Sequence, residues 1–501
     1  MKRLDFIKVA GYSTGFIGVG GTVTGLLASL SGCNKDHHLS MKMTEPVMVS
    51  EGDFTMRLAF PMQAGANYTL TAQSTASNIK GTNIPVLGYQ PDSLLGPSFR
   101  INENDSVNIL FQNNLTEPTN IHWHGLKVPA PMDGHPDQLV EAGSAFRYQF
   151  KINQRAGLSW YHPHPHETTG RQVFQGLAGL FIINDAEERA LNLPSGPYEL
   201  PLVIQDKRIT AKGITYHPSP EEVMTGYMGD SILVNGIFAP FTEVATQHYR
   251  FRILNGSNAR IYNLALSNNA DIVIIGNDGG LLKNPVEVKD ILIGPGERLD
   301  VLVNFEGIAI NTEIFLVSKE FSLGDNAQGK QRFKIMKFKV MVAVTSSFFI
   351  PAILSAIKTI SALSTMKTRT FNISNAMEHH GGPMNDGMSM RHRINGKLFE
   401  RNRIDEKVEA NTNEIWVFDN SKGNEPHPMH LHGVFFQVLE RRGGRGKRIA
   451  SESGWKDTVL VMPGETVKVI VPFENNTGKF VFHCHNLEHA DDGMMLQYQL
   501  S

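Results

Sequence analysis

Val481-Phe482-His483-Cys484-His485-Asn486-Leu487-Glu488-His489-Ala490-Asp491-Asp492-Gly493-Met494 is the stretch around which the chain is organised. The Cys484 thiol, an imidazole five residues on at His489 and a thioether five further at Met494 form one side of a trigonal soft-ligand site. His427 is the candidate for a second imidazole. Two His and one Cys with a weak axial Met describe a blue-copper electron-transfer centre. Cys484 also has a His on each side. If the segment is a strand or the end of one, alternation points Cys484 one way and His483 and His485 the other. One tripeptide then touches two metal sites, with a covalent path between them.

Working outward, the chain from about residue 52 reads as short strands punctuated by Gly, Pro, Asn and Asp, which predicts an all-β fold of sandwiches or barrels. An internal repeat divides it. A strand closing in Asn occurs at Val107–Asn113, Tyr249–Asn255 and Glu414–Asn420. After the first and third comes His-x-His-Gly, at His122 to Gly125 and at His430 to Gly433, whereas Ile261 to Leu264 holds no His. A Pro-Gly-Glu turn and strand recur at Gly294–Val303 and Met462–Val471, with a weaker version at Gly143–Phe150. A Gly-x-x-aromatic-x-His element closes the outer copies, at Gly157–His162 and Gly478–His483. Three related β-domains are expected, near 50–186, 196–344 and 366–501. The outer two carry the metal chemistry, and the middle one serves as a spacer.

Four His-x-His pairs follow from the repeat: His122 and His124, His162 and His164, His430 and His432, His483 and His485. One pair alone says little, because alternation puts any two such residues on one face. Four pairs placed symmetrically suit several borderline metal ions held between the outer domains. Imidazole by itself does not choose among Cu, Zn, Fe and Ni; the set of Cys484, His427, His489 and Met494 selects copper.

These motifs resemble those of the three-domain multicopper oxidases, the laccase superfamily, and most of all the bacterial periplasmic copper-efflux oxidases, over about residues 50–501. The resemblance implies three cupredoxin-like Greek-key β-sandwich domains and four copper ions. It implies that His427, Cys484, His489 and Met494 hold the type 1 copper, and that His122 and His430 hold the type 2 copper. His124, His162, His164, His432, His483 and His485 would hold the type 3 pair, with His166 beside them rather than among them. Electrons taken singly at the type 1 site would cross from Cys484 through His483 and His485, and dioxygen would leave as two waters. Asp133 falls where the family carries a proton-supplying acid. The family often has Glu directly after the second type 1 His; this chain has Ala490, then Asp491 and Asp492, which puts the usual second proton path in doubt.

Substrate signals lie in the segment from Met377 to His392. Met377, Met384, Met388 and Met390, with three His, Gly and Pro, cannot form a core helix, and thioethers favour Cu(I). In the family a longer Met-rich insert near this position serves cuprous ion. Asp457 matches a family strand near the type 1 edge and is a candidate to help bind that cation. Dioxygen, together with Cu(I) or small phenolic and aromatic-amine donors, is the expected set of partners, in a role in copper tolerance.

Composition and the N-terminus supply the setting. With 41% hydrophobic residues, 19% charged and a net charge of −2, nothing points to a nucleic-acid partner. Met1 to Leu30 is a basic stretch followed by an apolar, Gly-rich run, as in an export signal. It ends in Leu30-Ser31-Gly32-Cys33, which resembles the bacterial lipobox, so residues 1–33 are expected to be a signal and Cys33 a lipid anchor. Arg3 to Lys8 resembles a twin-arginine pattern with Leu4 in the second Arg position. The expected protein is an exported monomer of the periplasm or cell envelope, either attached to the membrane through a lipidated Cys33 or cut near that point and released. The apolar run Val340 to Leu363 is broken by Thr345-Ser346-Ser347, Pro351 and Lys358, and reads as a strand and a linker (345–365) packed on the body.

Two rival readings have discriminating features. Copper nitrite reductases use related domains but lack the four His-x-His pairs and the His-Cys-His bridge. A copper-free or copper-carrying envelope protein of the same fold would lose ligands, whereas every ligand position here is filled.

Overall fold

The structure, a computed structural model, describes residues 48–322, 327–379 and 388–501. The expected signal 1–33, Cys33 and Met384 lie outside the described residues. Among those described no helix exceeds six residues, and none is long and apolar enough to cross a membrane. The fold is all-β, as the strand pattern predicts.

Three sandwiches account for it. In the first, the sheet holding Asn67–Ile79, Ser106–Asn113 and Ala145–Lys151 packs on that holding Ser98–Asn102, Gly179–Asn184 and Gly157–Tyr161. Leu70, Ile109 and Phe111 meet Phe99, Tyr161 and Phe181 in one core. Corresponding cores lie within the six- and seven-stranded sheets of the middle sandwich and the six- and five-stranded sheets of the last.

The repeat read from the sequence has a structural counterpart in strand pairing. Each Asn-closing strand runs parallel to the first long strand of its sandwich: Ser106–Asn113 beside Asn67–Ile79, His248–Asn255 beside Glu199–Lys207, Thr412–Asn420 beside Thr368–His379. Each is antiparallel to the strand after the turn, at Ala145–Lys151, Arg298–Asn304 and Glu465–Phe473. Parallel neighbours remote in sequence require the chain to cross between sheets, which is the Greek-key path.

The closing Asn has a physical reason to recur. Asn113, Asn255 and Asn420 are wholly buried, and each side-chain amide donates to two backbone carbonyls of the following turn and a neighbouring strand. The acceptors are Glu117 and Val140, Arg260 and Ile293, and Glu425 and Met462. An apolar residue there would leave those carbonyls unpaired in the core.

Between the strands Phe333–Val342 and Thr368–His379 the chain forms no strand or helix. Leu354 is buried, with Phe348 and Ile350 packed on the cluster of Val273, Ile275 and Leu281. These three linker residues pack on the body, while Phe349, Ile353 and Leu363 are exposed.

Candidate metal centres

Strand Gly478–Cys484 ends at the thiol, and the next residues turn into the short helix Leu487–Asp491. Asn486 is its N-cap; its side-chain oxygen accepts from the backbone N–H of Glu488 and His489. That cap folds His489 back over Cys484. The Cys484 Sγ lies 3.5 Å from His489 Nδ1 and 3.5 Å from His427 Nδ1, the latter at the start of strand His427–Leu431. Met494, fully buried, is tied to the same place by its backbone: its carbonyl accepts from Cys484 N and its N–H donates to the His489 carbonyl. Burial pushes the Cys484 thiol up, and burial with the neighbouring imidazoles holds His427 and His489 well below the usual histidine range. Both rings are therefore neutral and can ligate, and the thiol ionises there only with a cation beside it.

On the other face of the tripeptide, the eight remaining imidazoles gather in one buried cluster. His122 Nε2 and His430 Nε2 are 3.4 Å apart. His483 Nε2 lies 3.1 Å from His164 Nε2 and 3.2 Å from His432 Nε2. The His124, His162 and His485 rings are mutually within 5.7 Å, centre to centre. Burial, then neighbouring imidazoles, lowers His122, His164, His432, His483 and His485, and burial above all brings His162 down to about 3.

The outward nitrogens explain the inward ones. Nδ1 of His122, His430, His162 and His483 donates to the carbonyls of Asp133, Asp457, Pro163 and Cys484, at 2.8 to 2.9 Å. His432 Nδ1 donates to Asp133 Oδ2 at 2.7 Å. A neutral imidazole has one N–H, so each of these five rings turns a bare Nε2 lone pair toward the others. His124 is reversed: its Nε2 donates to Asp457 Oδ1 at 3.1 Å, leaving Nδ1 without a hydrogen-bond partner. Both nitrogens of His485 and Nε2 of His162 also lack one. Converging buried acceptors with no donor are costly unless a cation meets them, so the donor set fits bound metal.

The carboxylates and cations around the cluster refine the sequence reading. Asp133 is wholly buried and its carboxyl is pushed up to about 8 by burial, as a proton-holding acid requires. Asp457 must be corrected. It is no surface residue at the edge of the Cys484 site, but is 1% exposed, bonded to His124 and paired with Arg298 from the middle sandwich, so it is closed to an incoming cation. Gly125, with φ +85, closes its His-x-His-Gly at this pair; a Cβ there would sit 2.5 Å from Arg298 Nη2. His166 is only half-buried, its ring against Phe399, outside the cluster.

The Met-bearing segment forms the arms of paired strands, Thr368–His379 and Met388–Ile394, with Met377 opposite Met390 and His379 opposite Met388. Met390 is half-buried.

Sequence reasoning missed four residues. Arg298 gave a signal, the one cation of the strand Arg298–Asn304. Glu488, beside Ala490, is buried, accepts from Tyr216, Tyr227 N and Asn258, and is pushed up to about 7 by burial. Asp491 accepts from Thr169 N and Gly170 N. His392 packs on His489. The middle sandwich, expected to be a spacer, thus reaches both sites, through Arg298 at the cluster and the Met224 carbonyl at His489.

Comparison with known proteins agrees with this geometry. Sequence models of a family described as multicopper oxidase match residues 71–188, 207–333 and 368–501. The chain is 36% identical over 441 residues to the multicopper oxidase mco of Staphylococcus haemolyticus, covering 87% of this chain and 88% of that one. It is 30% identical to a Bacillus subtilis laccase, covering 80% and 87% of the two chains. It is also 30% identical to the cell division protein FtsP of Escherichia coli, covering 83% and 86%. Among solved structures, the McoA multicopper oxidase of the hyperthermophile Aquifex aeolicus superposes with a TM-score of 0.80 at 34% identity, over 90% of this chain and all of that one.

Proposed function

Because the chain belongs to the multicopper oxidase family, we propose that it couples one-electron oxidation of Cu(I), or of small phenolic and aromatic-amine donors, to the four-electron reduction of dioxygen to water. Its setting in this reading is copper tolerance in a bacterial envelope, as an exported monomer anchored through Cys33. The three domains are those near 50–186, 196–344 and 366–501. His427, Cys484, His489 and Met494 hold a type 1 copper, His122 and His430 a type 2 copper. His124, His162, His164, His432, His483 and His485 hold the type 3 pair.

One observation carries the reading: Cys484 faces two imidazoles while the residues on either side of it reach a second, separate imidazole cluster. When bound, copper supplies the one-electron acceptance and dioxygen chemistry that amino-acid side chains lack. This chain's own residues do the rest. Two peptide bonds join the sites, so an electron held at Cys484 has a covalent path to His483 and His485. The carbonyls that accept from Nδ1 of His122, His430, His162 and His483 keep those four rings in the tautomer with the lone pair inward. Asp133 keeps a proton at neutral pH; its Oδ1 has no hydrogen-bond partner and lies 3.7 Å from His122 Nδ1. For cuprous ion, the thioethers of Met377, Met384, Met388 and Met390 are the soft donors the sequence supplies.

The FtsP relatives favour a second reading, a non-enzymatic envelope protein. Against it, every position of both ligand sets is filled. Oxygen uptake by the copper-loaded protein, with Cu(I) as sole donor and then with a bulky phenol, tests both. Fast uptake with Cu(I) and slow with phenol supports the cuprous role, the reverse supports a laccase, and uptake with neither supports the FtsP-like reading.

A further inference from the structure

His392 lies on the strand Met388–Ile394, and its side chain is 2% exposed and rests on the Cys484 site. Its ring centre is 4.0 Å from that of His489 and 4.9 Å from that of His427. Its Nε2 is 2.9 Å from the carbonyl oxygen of Met224, and His489 Nε2 is 2.8 Å from the same oxygen. A carbonyl only accepts, so both rings carry their proton on Nε2 and both donate to it. Met224 belongs to the helix Pro220–Thr225 of the middle sandwich, which a capping box of Ser219 and Glu222 fastens at its start. Three elements from different parts of the chain therefore converge on one oxygen.

A histidine that merely filled this space would be a poor choice. His392 Nδ1 is buried without a hydrogen-bond partner, a cost that a Phe of similar size would avoid. What His offers and Phe does not is the second N–H on the Met224 carbonyl.

We propose that His392 is a positioning residue for the type 1 copper, acting through His489: it competes with His489 for the Met224 carbonyl and seals the outer edge of that imidazole from water. The inference rests on the assignment of copper to His427, Cys484 and His489 made above. A hydrogen bond from the distal N–H of a metal-bound imidazole raises the ring's basicity toward the metal. Two donors on one oxygen each weaken the other's bond. His392 thus keeps His489 a weaker donor and holds the reduction potential of the site up. Without the His392 N–H the His489 bond strengthens, the oxidised ion gains, and the potential falls.

The experiment uses the full chain loaded with copper, as wild type, His392→Phe (ring without N–H) and His392→Gln (N–H donor without ring). Thiolate-to-copper absorption, the electron paramagnetic resonance spectrum and the reduction potential are read for each. The expected result is a blue band in all three, a downward shift of potential in His392→Phe and a potential near wild type in His392→Gln. An unshifted potential in His392→Phe overturns the proposal, as does a fall in His392→Gln as large as that in His392→Phe. Absence of the blue band from the wild type would instead overturn the copper assignment beneath it. Should a variant not fold, histidine-selective nitrogen NMR of the cuprous wild type still decides: Nε2 protonated on both His392 and His489 supports the sharing, and a bare Nε2 on either ring overturns it.

Discussion

Replacing Arg298 with Leu tests whether the middle sandwich holds the imidazole cluster in register. Arg298 is wholly buried; its Nη1 lies 2.7 Å from Asp457 Oδ1, Nη2 contacts Oδ2, and Nε donates to the Leu158 carbonyl at 2.9 Å. Asp457 in turn accepts from His124 Nε2 at 3.1 Å. Burial alone pushes the Asp457 carboxyl up; Arg298 and then His124 overcome that and hold it well below the usual carboxylate range. Without the guanidinium an unpaired charge is left in the core, and breaking such a pair costs about 3–5 kcal/mol. Asp457 escapes by taking a proton, and then donates toward His124 Nε2 instead of accepting from it. That moves the ring proton to Nδ1, the nitrogen that otherwise faces the cluster with a free lone pair. Loss of a partner behind a metal-bound His lowers metal affinity about 10–100-fold. The assay is copper content after dialysis against chelators of graded strength, alongside urea unfolding of the copper-free protein. Arg298→Leu should lose cluster copper first and keep its blue absorption. Arg298→Leu with Asp457→Asn removes the stranded charge and should recover most of the lost stability. Wild-type copper retention and unfolding in Arg298→Leu, or a double variant no more stable than the single one, would refute the reasoning.

Three further outcomes are expected. Cys484→Ser should abolish the blue absorption and oxygen uptake while the circular dichroism of the copper-free protein is unchanged; uptake at the parent rate would rule out the Cys484 route. The Glu199 side chain is 8% exposed; burial pushes its carboxyl up, but Arg252, Arg100 and Arg250 more than reverse this and bring it from the ordinary 4.5 down to about 2. At about 1.4 kcal/mol per pH unit that depression contributes about 3 kcal/mol, in full above pH ~4.5 and lost as pH falls toward 2. Acid unfolding of Glu199→Gln should lack that part of the slope, and a curve parallel to wild type between pH 4.5 and 2 would count against the arginine cluster. Met377, Met384, Met388 and Met390 changed together to Leu should slow oxygen uptake with Cu(I) and spare uptake with a phenol, and equal loss of both would argue against the thioethers as the cuprous port.

What the chain discloses in its sequence and what it withholds divide along the distance between partners. His-Cys-His, the four His-x-His pairs and the buried Asn of each repeat are short patterns, because strand alternation and turn-locking act within a few residues. Asp457 was misread for the opposite reason. Expected to help bind a cation near the type 1 edge, it lies instead in a buried run: Lys456 is 1% exposed and bonded to Asp278 and Glu297, just as Asp457 is bonded to Arg298. Charges enter a core only with partners, and these partners stand about 160–180 residues away in the middle sandwich. The same holds for His392, whose acceptor on Met224 is 168 residues distant. The expectation of a mere spacer followed from counting ligands, since the middle repeat has no His-x-His. Counting what the ligands lean on gives another answer: a sandwich that contributes none of the expected ligands supplies the cation that orients His124 and the carbonyl that His489 and His392 share. That repeat presents a backbone carbonyl to one site and a buried charge to the other. Changes within it should therefore register first as altered copper retention and potential, ahead of any loss of fold.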